Sequence, residues 1–91
     1  MTTYERKNTQ LIALFDELTR RRPDLLGEIP SSVALVMQID GDEEFNRWAR
    51  EVAEHNSPDR PKLLVVFRFA QLPPKKAPAW EDVQAWELQP A

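Results

Sequence analysis

Residues 63–69 read Leu-Leu-Val-Val-Phe-Arg-Phe, seven positions of which only Arg68 is polar. A strand with one wet face alternates apolar and polar side chains. This nearly unbroken β-branched and aromatic run instead predicts a strand covered on both faces, in the middle of a sheet with parallel character. The rest of the chain has to supply that cover.

Working backward, Asn56-Ser57-Pro58-Asp59-Arg60-Pro61 is turn chemistry that delivers the chain into this strand. Before it, Phe45, Trp48, Ala49, Val52 and Ala53 recur at i, i+3, i+4, i+7 and i+8, which predicts a helix from about Asp42 to His55. Asp42, Glu43 and Glu44 place negative charge in its first turn, where the helix dipole favours it, and Asp40 and Glu43 have capping-box spacing. Glu43, Arg47 and Glu51 mark its outer side. Gly41 makes the preceding turn. Ser32 to Asp40 then reads as another strand, with Val33, Leu35, Met37 and Ile39 on one face and Ala34, Val36 and Gln38 on the other. Strand, helix and strand make a right-handed βαβ unit, with the helix expected over one sheet face.

At the beginning of the sequence, Thr2 and Glu5 match the Ser/Thr-x-x-Glu capping box and open a helix over Thr3 to Arg21. Tyr4, Leu11, Ile12, Leu14, Phe15 and Leu18 form its apolar stripe, and Asp16 to Arg20 and Glu17 to Arg21 are acid-before-base pairs. Pro23 stops it. Pro23-Asp24-Leu25-Leu26-Gly27 predicts one further turn, with Gly27 as a left-handed exit and the two leucines plugging one end of the core. Beyond the central strand, Gln71 to Pro78 holds three prolines and two lysines and predicts an extended connector. The tail, Ala79 to Ala91, predicts a helical turn followed by an edge strand.

The organisation expected is one α/β domain of α-β-α-β type. Residues 1–70 form a core with a parallel two-stranded βαβ unit and the first helix beside it, 71–78 form the proline-rich connector, and 79–91 form a tryptophan-bearing extension. Ninety-one residues support a single modest core. No apolar run approaches the length that crosses a bilayer, and Met-Thr-Thr-Tyr-Glu-Arg-Lys lacks a signal-peptide core, so a cytoplasmic address is expected. The absence of cysteine removes disulfides, thiolate metal sites and cysteine nucleophiles. A net charge of −3 supplies no overall attraction to nucleic acid or anionic lipid.

Several constellations are candidates for chemistry. Asp40, Asp42 and Glu44 lie near the carboxyl end of a parallel strand, where α/β folds bind ligands and hard cations. Helix capping accounts for that end of the helix without a metal, so no cofactor is expected. Arg20, Arg21 and Arg22, with Arg60, Lys62, Lys75 and Lys76, are the basic candidates for phosphate or RNA, although acids stand one turn before two of them. His55, the sole histidine, sits where imidazole complements a helix carboxyl end.

Arg68 shares a face with Leu64 and Val66, so it needs either solvent at the strand end or a carboxylate such as Glu28, Asp40 or Glu87, across a subunit contact in the sharper case. Trp80 and Trp86 either fold back over the second sheet face or reach onto another subunit.

Taken together, the capped first helix, Pro-Asp-Leu-Leu-Gly-Glu-Ile-Pro at 23–30, the Ala-Leu-Val-Met strand, Asp-Gly-Asp-Glu-Glu with its helix, and Pro-Lys-Leu-Leu-Val-Val-Phe resemble a group of small uncharacterised bacterial and archaeal proteins. The resemblance spans about residues 4 to 69 and implies the fold but no activity.

Two strands alone make a marginal sheet with open edges. The leading expectation is therefore a non-enzymatic interaction or scaffold protein that forms a homo-oligomer, in the first instance a dimer, through Leu64, Val66, Arg68, Trp80 and Trp86. The alternatives are an antitoxin-like module that docks its tail on another protein, and a ligand or metal binder using Asp40, Asp42 and Glu44.

Overall fold

A computed structural model describes residues 2–74 and 77–91. Its elements run α1 (Thr3–Arg21), α2 (Asp24–Glu28), β1 (Ala34–Ile39), α3 (Glu43–Asn56), β2 (Lys62–Phe69), a 3-10 turn (Trp80–Asp82) and β3 (Val83–Pro90). The sheet order is β1-β2-β3, with β1 parallel and β3 antiparallel to β2. The 63–69 run is thus the central strand. Val65 and Phe67 are fully enclosed, as the continuous apolar run requires.

Each helix starts where its capping chemistry places it. Thr2 and Glu5 form the reciprocal capping box of α1, at 3.1 and 3.2 Å. At α3 the cap is Asp42, whose carboxylate accepts from the Phe45 amide, in place of the expected Asp40–Glu43 pair. The short α2 contains Gly27 and leaves through Ile29 in an extended conformation. The physical reason is Pro30, which biases its predecessor away from helical geometry and so moves the exit past the glycine. Gly41 is the glycine that needs a positive φ, at 95°, to turn β1 into α3. The strand read from Ser32 begins two residues later, because the Val33 amide closes a turn onto the Pro30 carbonyl.

The core gathers Leu11, Leu14, Phe15 and Leu18 from α1, Leu25 from α2, Phe45 and Ala49 from α3, and Val65, Phe67 and Phe69 from β2. Ile12 and Val52, at the margins of their helical stripes, are exposed. Helix α1 lies over the sheet face that carries Val65 and Phe67. Its Leu11 and Ile39 of β1 line one hollow beside the proline segment, and the guanidinium of Arg22, the residue that caps its carboxyl end, lies over the Trp86 ring, which stands opposite Phe67. Helix α3 packs chiefly against β1, so it flanks the sheet at that strand and leaves the face cover to α1. Tyr4, Phe45 and Trp48 join the two helices in one aromatic cluster, with ring centroids 5.5–6.3 Å apart.

Candidate functional site

The parallel register sets Val36 beside Leu64, Gln38 beside Val66 and Ile39 beside Phe67. The antiparallel register sets Gln89 beside Leu64, Glu87 beside Val66 and Ala85 beside Arg68. Because paired residues share a face, the side opposite α1 carries Val36, Gln38, Leu64, Val66, Arg68, Ala85, Glu87 and Gln89. Its β1 half is closed: Val36 and Gln38 are 3% exposed beneath the flank of α3. Its β2–β3 half is an open, shallow groove. Leu64 and Val66 are half-buried on the groove floor, between Arg50 of α3 on one side and Glu87 and Gln89 on the other.

Arg68 stands at one end of this groove, and its Nε donates to Asp40 Oδ2 at 3.1 Å within the same chain. Ile39 opposes Phe67, so the next residue on each strand brings Asp40 level with Arg68. Both side chains are more than half exposed, which makes this a weak, salt-sensitive pair of well under 1 kcal/mol, roughly. The strand-end charge therefore finds both solvent and a carboxylate.

Two amides at the groove wall had no place among the predicted site residues. Asn46 is 7% exposed, and its Oδ1 accepts from the Ile39 amide while its Nδ2 donates to the Ile39 carbonyl, both at 2.7 Å. One side chain thus makes the pair of hydrogen bonds that a neighbouring strand would make to the outer side of β1. Gln38 donates to the Met37 and Asn46 carbonyls at 2.8 and 3.2 Å and accepts from Arg50 Nη1 at 2.9 Å. Every polar atom of this buried pair is used. The available signal was two amide residues inside apolar periodicities: Asn46 stands three and seven residues before the inward Ala49 and Ala53, and Gln38 shares a face with Val36.

The structure separates the expected interaction residues. Leu64, Val66 and Arg68 line the groove, whereas Trp80 and Trp86 lie on the opposite side, under α1. Arg21 covers the Trp80 ring at 5.2 Å and Arg22 the Trp86 ring at 5.9 Å. Trp86 goes there because the irregularity near Val83 and the register after it place it opposite Phe67.

The three acidic candidates are likewise dispersed. Asp40 holds Arg68, Asp42 caps α3 and pairs with Lys7 at 2.7 Å, and Glu44 accepts from the Tyr4 hydroxyl at 3.3 Å. Among the described residues no three His, Asp or Glu side chains are grouped so as to hold a metal ion.

The basic residues serve local structure. Glu17 binds both Arg20 and Arg21, displacing the expected Asp16–Arg20 pair, and Asp24 binds Arg22. The Glu17 carboxyl is lowered chiefly by its hydrogen bond from Arg20, and that of Asp24 by its bond from Arg22. Arg60 donates to the carbonyls of Ser31, Ser32 and Val33, holding the loop before β1. Lys62 pairs with Glu54. Lys75 and Lys76 lie outside the described residues. His55 is exposed in the last turn of α3.

No helix is long and apolar enough to cross a membrane among the described residues. The chain belongs to the DUF5647 family, a family of unknown function, whose model matches residues 3–75. The matched stretch runs from α1 through β2 and ends before β3. No curated protein and no solved structure matches the chain.

Proposed function

We propose that this member of the DUF5647 family is a cytoplasmic interaction protein that works by associating with a second copy of itself, as a dimer, and not by catalysis. The observation that carries the reading is the half-covered second face. Leu64 and Val66 lie half-buried in an open groove whose margins hold both signs of charge, Arg50 and Arg68 with Asp40, Glu43 and Glu87. Apolar floor with a polar, mixed-charge rim is the anatomy of a contact surface. A mixed rim also suits a two-fold contact, in which each copy offers what the other lacks. The groove's polar groups are engaged with one another, Arg68 with Asp40 and Arg50 with Gln38, which favours a contact surface over a reaction centre. A three-stranded sheet in a small domain gains from added cover.

The tail is ordered as the strand β3, and Trp80 and Trp86 are half-buried beside Arg21 and Arg22, so the arrangement favours self-association over docking of a free tail onto another protein. Sedimentation velocity on the full chain tests the proposal. A dimer is expected to form between about 10 and 500 µM, the range suited to a small interface. A single monomeric species across that range would refute it.

A further inference from the structure

Strand β3 uses one side of its backbone. The Ala91 amide donates to the Lys62 carbonyl at 3.3 Å, which makes Lys62 and Ala91 a hydrogen-bonded pair. The alternation of antiparallel ladders then assigns the bonds toward β2 to Gln89 and Glu87. The backbone groups of Leu88, Trp86 and Pro90 face away from the sheet. The ladder on the other side of β2 agrees, since the Pro61 and Phe67 carbonyls accept from Ala34 and Asp40 of the β1 segment, so odd-numbered β2 positions serve β1. Pro90, with no N–H, stands where none is needed for pairing with β2. The opposite edge of the sheet is different in kind: Asn46 takes the outward N–H and C=O of Ile39, and Gln38 takes the Met37 carbonyl. Among the described residues, the β3 edge is open and the β1 edge is capped at its carboxyl end.

We propose that two copies of the chain join edge to edge through β3, antiparallel about a two-fold axis, with Leu88 opposite the partner's Leu88. This rests on the self-association reading above and places the contact at the sheet edge that bounds the groove, in place of the groove floor itself.

Of the registers that bring outward-facing groups together, those centred on Trp86, Glu87 and Leu88 pair the longest stretches, and the residues select among them. Centring on Glu87 sets the two Glu87 carboxylates directly opposite at the close, non-hydrogen-bonded spacing of about 4.5 Å, where like charges repel. Centring on Trp86 requires Gln84 to pair, but Gln84 is the unpaired residue between Val83 and Ala85, at the irregularity that bends the strand. Centring on Leu88 avoids both. Each Leu88 amide then donates to the partner's Leu88 carbonyl, and each Trp86 amide to the partner's Pro90 carbonyl, so every outward donor of 86–90 finds an acceptor. On the groove side Glu87 meets the partner's Gln89, a carboxylate facing an amide. On the α1 side Trp86 meets the partner's Pro90. This self-complementarity selects a second copy over an unrelated strand. The result is a six-stranded sheet whose two open half-grooves merge into one floor, walled at each end by an α3 helix.

The test is sedimentation velocity of the full chain and variants, with amide exchange of Trp86 and Leu88 followed against protein concentration. Gln89→Glu, which opposes Glu87 twice per dimer, is expected to weaken association about tenfold or more, and Gln89→Lys to strengthen it several-fold, roughly. The Trp86 and Leu88 amides are expected to gain protection as concentration rises. Leu88→Pro removes an N–H that β2 does not use and should abolish the dimer, while near-ultraviolet circular dichroism confirms that the monomer stays folded. A dimer that tolerates both Gln89 changes and Leu88→Pro but dissociates with Val66→Glu would overturn the edge contact and leave self-association standing. A wild-type chain that stays monomeric would overturn both.

Discussion

Removing the Asn46 side chain by Asn46→Ala is the sharpest test of how the β1 edge is held. Two hydrogen bonds of 2.7 Å disappear together; the Ile39 carbonyl keeps its bond from the Asp42 amide at 3.0 Å, so the group left without a partner is the N–H of Ile39, a residue 1% exposed. The stranded N–H costs about 1–3 kcal/mol and the second lost bond about 0.5–1.5 kcal/mol. Alanine returns about 0.5 kcal/mol through its better helix propensity. The expected net loss is about 1–4 kcal/mol, a large share of the roughly 5–14 kcal/mol available to a domain of this size. In urea, with a slope of about 1.5 kcal/mol per molar, the midpoint should fall by about 0.7–2.7 M. Equilibrium unfolding followed by tryptophan fluorescence reads this directly. Arg47→Ala, one position along on the exposed side of α3, is the control and should stay within about 0.5 kcal/mol of wild type. The Ile39 amide should lose its protection from exchange in the Asn46 variant. A midpoint shift no larger than that of Arg47→Ala, with the Ile39 amide still protected, would refute the strand-like role of Asn46.

Two further outcomes follow from the geometry of the turns and caps. Gly41→Ala should cost about 1–2 kcal/mol in urea unfolding, because φ is 95° and the new methyl would meet the Leu72 side chain; part of the loss should return with Leu72→Ala, since Leu72 is half exposed and can be shortened without a core cavity. The carboxyls of Glu5, Glu17 and Asp24 are lowered, from ordinary values of 4.5, 4.5 and 3.8, by hydrogen bonds from Thr2, Arg20 and Arg22. Their contribution is therefore complete above those ordinary values and is lost as pH falls through the lowered folded values, so helical dichroism and the thermal midpoint should decline together on acidification below about pH 4.5 and not between pH 5 and 8.

Much of the fold was legible because it rests on local pattern. The 63–69 run announced a central strand, Thr2 with Glu5 announced the start of α1, and the 45-48-49-53 spacing announced the inner side of α3. The division of Leu64, Val66 and Arg68 from Leu63, Val65 and Phe67 followed from strand alternation alone. What was not legible depends on contacts distant in sequence. The side taken by Trp86 depends on an irregular step near Val83 that shifts the register, and alternation read along one strand cannot reveal it. Asn46 and Gln38 read as breaks in apolar periodicity, and their meaning emerges only when β1 and α3 lie side by side. The Arg68–Asp40 pair needed the parallel register, which sets two residues 28 apart in sequence at the same level.

The bonds from Asn46 to Ile39 also bear on how assembly through β3, as proposed, would stop. A sheet with two open edges has a valence of two: a β3 edge could add to the β1 edge of the next molecule, and each addition would expose a fresh site, so growth would continue into a filament. Under the proposed pairing, the Asn46 side chain blocks the carboxyl end of the β1 edge at Ile39, which leaves each molecule a valence of one, so that joining two β3 edges would consume both. On that reading Asn46 limits the size of the assembly, and its loss would turn a terminating contact into one capable of propagation.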